Sequence, residues 1–517
     1  MRSLTHAAAA AAMLLASAAP AAAKDDKGSL YLQCDGQPNN MTGMESFARL
    51  VALSFVVGLL APPPESPDPE KRLFGEDGVR ACSQLLDGAS AEGNGLRRVP
   101  LILARALHKM EVENWDAAIA DIGLAREEAA KVGISGNPYF ERSMGLSFDN
   151  LEGYAWLFKG DYANAREVGL HPRERLPYSF YAAVVAHPFP TFNEQPDDAE
   201  LAYYDGAQRI LAAETHGHAE RLEGAGRFAE AAEIRDALVM IGDAWDQDFR
   251  SISDLAKAAV THRLAGDEAG AETYAARARE LMDKRRSAGI AIPDRSETVE
   301  VLDLYDIVGL ARSGSAAEAR TRYAARSEWT EAPQGMLKAV RVLLREGADP
   351  ATLTGQLAKS EDEIVKAKRE EIIAGLLAAL KNNRTFYNYI LPYAKIGDFE
   401  RLSKDVWKTD KSRLLGKEKA EKTEFYSISI NSDAMTQPDA MLLHAALVAK
   451  ARGYKGFIYL GNPKTPWSSW VRFANPGDEG IPMPYYLDAD AVIAELKEVI
   501  PSPEALKARR NAQMKKT

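Results

Sequence analysis

Glu214-Thr215-His216-Gly217-His218, with Glu220 just beyond, gathers the residue types that ligate transition metals. Their spacing works against a shared ion. On a helix, neighbours on one face lie three or four positions apart, so His216 and His218 diverge unless the chain bends there. The His-Glu-x-x-His pattern, which sets two ligands on one helical face, does not occur. His444 follows Leu443 in an apolar stretch and reads as a satisfied or surface histidine rather than an acid–base catalyst. A nucleophilic serine needs a turn that exposes it and a His–acid partner, and the Gly-x-Ser-x-Gly elbow is missing. Phosphate cradles need closely spaced glycines ahead of a helix. Gly93-Asn94-Gly95 lacks the following Lys-Ser/Thr, and Gly-x-Gly-x-x-Gly is absent. With 74 Asp and Glu, a glycosidase-like carboxylate pair cannot be picked out. The residues therefore assign no catalytic group, metal or cofactor.

Cys34 and Cys82 are the two cysteines of the 517-residue chain. Their role follows from the N-terminus. Met1-Arg2 is basic, Ala7 to Ala22 is apolar, and Ala21-Ala22-Ala23 precedes Lys24-Asp25-Asp26. Those are the parts of a secretory signal peptide, with cleavage expected after Ala23 and a periplasmic or secreted product. An exported chain enters an oxidising compartment, so Cys34 and Cys82 are expected to form a disulfide rather than act as nucleophiles. Gln33 before Cys34 makes a poor lipobox. The net charge of −10 argues against a nucleic-acid partner, whose binding rests on Lys and Arg. Beyond the signal, no run reaches the roughly 18 apolar residues of a membrane span. Leu50 to Ala61 comes nearest and stops at Pro62-Pro63-Pro64.

A helix ending at Gly or Asn, followed by a polar or aromatic start and then Ala, recurs along the chain. It stands at Asn114–Ala118, Gly160–Ala165, Gly226–Ala231, Gly266–Ala271 and Gly314–Ala319, with a weaker copy at Gly397–Leu402. Gly ends one helix in the left-handed conformation, and Asp, where present, starts the next. Ala lets the two backbones approach closely. The alternative is a non-repetitive helical protein with glycine turns. The pattern resembles the tetratricopeptide (TPR) repeat. That resemblance implies a superhelical stack whose concave face holds a protein or peptide. One insertion interrupts it. Tyr178, Phe180, Tyr181, Phe189 and Phe192 lie in an aromatic, proline-rich stretch between Pro172 and Pro196. These rings are candidate partner-binding residues, or else they pack between neighbouring helices.

After a charged segment the period changes. Phe425 to Ile430 alternates as a strand does, Thr436 to Arg452 reads as a helix, Phe457–Leu460 as a strand and Asp488 to Ile500 as a last helix. The strand from Tyr426, the helix around Leu442-Leu443-His444 and Gly453-Tyr454 resemble a small domain of uncharacterised bacterial envelope proteins and lipoproteins. The resemblance implies an envelope location and no known activity. The expected fold is mainly α, a TPR-like helix-hairpin solenoid with a small C-terminal α/β domain. The expected boundaries are 1–23 for the signal, 24–95 for a helical cap with the disulfide and 96–410 for the repeats. A charged linker follows at 411–424, then the α/β domain and basic tail at 425–517. The expected function is a non-enzymatic scaffold or adaptor for protein–protein interaction in the cell envelope, with no small-molecule ligand. The alternatives are an enzyme acting on an envelope polymer, with Tyr426, Asn431, His444 and Tyr459 as polar candidates, or a small-ligand module.

Overall fold

Short local rules set the helix ends throughout. Ser29 accepts a hydrogen bond from the Leu32 amide and opens α1 (Leu30–Asp35). Asn94 does the same for α3 (Gly95–Glu111), and α2 (Gly75–Asp87) lies between them in sequence. The structure is a computed structural model. It describes residues 28–38, 66–89, 91–189, 195–245, 251–382, 389–393, 396–410, 412–418, 425–430, 437–461 and 468–514. The expected signal 1–23, the apolar run 50–61, Phe192 and Asn431 lie outside the described residues.

The chain forms two compact units, residues 1–135 with 376–390, and residues 136–375 with 391–517. In the first unit a disulfide joins Cys34 on α1 to Cys82 on α2, with Cα atoms 4.8 Å apart. His108 of α3 sits against it, fully buried, with Nε2 2.8 Å from the Cys34 carbonyl and Nδ1 2.9 Å from Glu111. Gly78 makes room for that ring, since a Cβ there would lie 2.2 Å from His108 Nδ1. Arg97 reaches back to Asp35 at 2.9 Å. α3 then turns at Asn114 into α4 (Trp115–Lys131). Residue 96, the expected start of the repeat region, stands at the beginning of α3. The α3–α4 hairpin lies in the same unit as the disulfide, where α3 supplies the wall against which α1 and α2 pack.

The second unit carries the remaining hairpins. After a single turn, α5 (Pro138–Glu141), come α6 (Met144–Lys159) and α7 (Tyr162–Arg175). α8 (Phe180–Ala186) and α9 (Asp198–Ala207) precede the pair α10 (Glu214–Gly224) and α11 (Phe228–Trp245). α12 (Ile252–Ala265) pairs with α13 (Glu268–Ser287), and α14 (Arg295–Arg312) with α15 (Ala316–Ala325). α16 (Gln334–Arg345) and then the long α17 (Glu361–Asn382) follow, the residues of α17 from Leu376 on belonging to the first unit. The α12–α13 turn shows the mechanism. Gly266 holds φ 88°, which an L side chain rarely adopts, and Asp267 then accepts from the Gly270 amide at 3.0 Å. The alanines of the repeated pattern, Ala165, Ala231, Ala271 and Ala319, are all buried between helices. The copy at Gly397–Leu402 is different. It lies inside α18 (Ile396–Val406) and makes no hairpin turn.

A five-stranded antiparallel sheet completes the second unit. Its order is β1 (Leu415–Glu418), β2 (Tyr426–Ser429), β4 (Ser468–Ala474), β3 (Gly456–Gly461) and β5 (Tyr486–Asp488). α19 (Gln437–Ala451), α20 (Ala489–Val499) and α21 (Pro503–Met514) accompany it. The architecture is thus mainly helical with a small C-terminal sheet. β1 falls in the stretch expected to be a linker, because its ladder partner β2 gives it hydrogen bonds that composition does not reveal. Nor does the sheet stand apart from the helices. Ile428, Leu442, Tyr459 and Val471 share one core with Tyr139, Leu170, Ala183, Tyr203 and Tyr204 of the helical part. Arg142, 3% exposed, ties the two parts, pairing with Asp439 at 2.8 Å and with Glu495.

Two outcomes are expected. Replacing both cysteines by alanine costs the first unit roughly 4 kcal/mol. Lowered hydrogen-exchange protection across residues 75–131 checks this, and reductant then changes the variant no further. Arg142→Met leaves Asp439 buried without its counter-charge and costs roughly 3–5 kcal/mol in denaturant titration. Adding Asp439→Leu restores most of that loss, since an apolar pair of similar size carries no desolvation penalty.

Candidate functional site

α10 distributes polar groups to four sides of the second unit. Glu214 is 2% exposed and pairs with His187 at 2.7 Å. His216 turns toward Asp254 on α12, 3.6 Å away. His218 bonds Gln208 at 3.1 Å and stacks on Tyr204. Glu220 accepts from the amide of Gln334 at 2.9 Å and so caps the start of α16. The two histidines of the sequence motif thus engage different partners, as residues two apart on a helix must. Among the described residues no group of three His, Cys, Asp or Glu side chains is placed to hold a metal ion.

Farther along α10 the charges are buried and matched. Glu223 holds Arg235 through two bonds of 2.9 and 3.0 Å and accepts from Thr261 at 2.6 Å. Arg221 pairs with Glu200 of α9, whose carboxylate is fully buried. Burial pushes the Glu200 pKa up from 4.5 to about 7, against the pull of Arg221.

Between α10, α16 and the first turns of α17 lies a groove of about 380 Å³. Tyr204, Pro196, Ile364, Val365 and Ile372 give it apolar walls. Five cations line it, Arg221, Lys338, Arg341, Lys368 and Arg369, against the carboxylates of Glu220 and Glu361. Arg341 is held by Glu361 at 2.7 Å, and Lys368 by Glu371 at 2.9 Å. Arg369 lies over the ring of Tyr162 at 4.5 Å. Lys338 meets only the neutral amide oxygen of Gln195, at 2.6 Å, and has no ion pair among the described residues. Partial burial lowers its pKa, so an anion seated beside it regains lost solvation. His187 lies on the same wall, and its hydrogen bond to Glu214 raises its pKa against the cost of burial. Close backbone contact fixes the groove's width. A Cβ at Gly335 would lie 1.9 Å from the Glu220 carbonyl, so α10 and α16 touch through glycine. These groove cations come from helices far apart in sequence. In the sequence they stand only as Lys338-x-x-Arg341 and Lys368-Arg369, a spacing that carries no mutual signal.

Of the aromatic insertion's rings, Phe189 packs inside the fold. Phe189 is fully buried, and its ring fills a slot left by Gly153 and Gly169 between α6 and α7. It meets Tyr154 edge-on at 5.1 Å. Phe189 is therefore not available as a binding residue. Tyr178 and Tyr181 are half-buried and pack on the core shared with the sheet, while Phe180 stands edge-on to Tyr181. The polar candidates of the C-terminal region do not converge. His444 is buried, its Nδ1 2.7 Å from the Val406 carbonyl and its Nε2 2.6 Å from the Ser412 hydroxyl. That hydroxyl also accepts from the Leu414 and Leu415 amides, the bonding of a loop clamp. Tyr459 accepts from Ser469, and Tyr426 lies beneath Arg452.

Comparison with protein families, with curated proteins and with solved structures found no match.

Glu200 makes the second unit's stability depend on pH. Its folded pKa of about 7 lies above the ordinary 4.5, so the folded state keeps a proton that the unfolded chain has released. The contribution is complete below pH 4.5 and is lost as pH rises through 7, on the order of 3 kcal/mol. Denaturant titrations at pH 4.5 and 8 are expected to show that decline in the wild type and a flatter profile in Glu200→Gln.

Proposed function

We propose that this protein is an interaction scaffold of the cell envelope that holds an acidic segment of a partner protein in the α10–α16–α17 groove. The observation that carries this reading is Lys338, which faces the groove over its apolar walls unpaired by any carboxylate among the described residues. An anionic side chain of a partner pairs with Lys338, and interleaved apolar residues meet Ile364, Val365 and Ile372. Stacked helix hairpins supply rigid walls for such a segment. The kinship with tetratricopeptide repeats rests on the turn pattern, and the export route rests on Met1–Ala23. A Cys34–Cys82 bond fits an oxidising compartment. Among the described residues no helix is long and apolar enough to cross a membrane.

Fluorescence anisotropy with labelled peptides tests this. A peptide alternating Glu with Leu is expected to bind, and a Lys-for-Glu counterpart is not. Lys338→Glu weakens the acidic peptide by about tenfold, and added salt weakens it further. Raising pH from 5.5 to 8 reduces affinity by roughly twofold as His187 loses its proton, and His187→Ala removes that slope. Equal binding of both peptides, or none of either, overturns the reading.

A further inference from the structure

Seven arginines are buried among the described residues. Six of them meet an Asp or Glu carboxylate at hydrogen-bonding distance. Arg173, on the last turn of α7, is 8% exposed and has no such partner among the described residues. Its Nη1 is enclosed without a hydrogen bond. Burial holds its pKa below the usual arginine value, and the charged groups that offset this act only through space. A buried charge left unmatched is costly, so its retention needs a reason.

The surroundings supply one. Across from Arg173 on α9 stands Gly206, where a Cβ would come 2.6 Å from Nη2. Any side chain there would push the guanidinium aside. The fork borders a cavity of about 280 Å³ with walls of Leu170, Pro177, Ala202 and Tyr203. The Tyr203 hydroxyl is spent on the Ala183 carbonyl at 3.0 Å, so its ring acts as a wall. The volume suits roughly nine water-sized groups.

We propose that this cavity between α7 and α9 binds a small organic monocarboxylate, its carboxylate on Arg173 and its short carbon body against Leu170, Pro177 and Ala202. A planar guanidinium matches a carboxylate through two parallel hydrogen bonds. Apolar walls favour an anion that carries carbon over inorganic phosphate. Glu174, the one acid of the lining, disfavours a second negative charge. This site is separate from the groove of α10, α16 and α17 and does not depend on a peptide binding there.

Thermal melting and isothermal titration of the full chain with butyrate test the proposal, with butyramide as neutral isostere and inorganic phosphate as the competing anion. Butyrate at ten times its dissociation constant is expected to raise the melting temperature by about 2 °C, and butyramide to leave it unchanged. Arg173→Met removes the butyrate shift while the ligand-free melting temperature holds or rises, because an unmatched buried charge is gone. Ala199→Leu, a change at the exposed rim, keeps the fold and weakens butyrate at least fivefold. Equal responses to butyrate and butyramide in the wild type overturn the proposal. So does unchanged butyrate affinity in Arg173→Met, and a phosphate response matching that of butyrate overturns the carboxylate assignment.

Discussion

A buried charge must find its opposite, and most of this protein's long-range architecture answers to that constraint. Arg142 and Asp439 lie 297 residues apart in sequence and meet inside the protein at 2.8 Å. Neither is tolerable there without the other, because each has given up its water. Their pairing fixes the corner between α5 and α6 against the start of α19. Around it Leu442, Tyr204 and Leu170 close one continuous apolar core. The sheet of the small C-terminal α/β part thereby shares its core with the helices of the second unit.

The same rule organises smaller regions. Arg97 and Asp35 bind α3 to α1 beside the disulfide, and Arg235 and Glu223 bind α11 to α10. Each pair is a planar guanidinium against a carboxylate, the geometry that best offsets desolvation. Two sites depart from the rule. Lys338 faces the groove with only an amide oxygen for company, and Arg173 faces a cavity with none. The first is half-buried and the second buried, and both sites rest on proposals about what they bind.

Glycine does complementary work by removing bulk. Gly153 and Gly169 open the slot that Phe189 fills, and Gly335 lets α16 press on α10. An aromatic ring that a sequence reading offers as a surface contact thus becomes a plug. Once it is seated, the ring braces α6 and α7, while His187 of the same stretch reaches the groove wall.

The sequence by itself determined what is local. Helix ends follow from Asn and Asp caps and from turn glycines, so the hairpins at Asn114, Gly160, Gly226, Gly266 and Gly314 could be read within a few residues. The late strands at Tyr426 and Phe457 and the helices at Leu442 and Val492 were legible from their period. The Cys34–Cys82 pairing followed from the count of cysteines and the oxidising compartment that the Met1–Ala23 pattern leads one to expect. Tertiary structure decided the rest. β1 exists because β2 offers it a ladder, the unit boundary falls after residue 135 because α3 packs on α1 and α2, and Gly397 lies inside a helix despite its turn-like neighbours. The groove and the Arg173 cavity draw on helices whose sequence spacing carries no mutual signal. Turn chemistry acts between neighbours along the chain, whereas the matching of charges and the filling of slots act between neighbours in space.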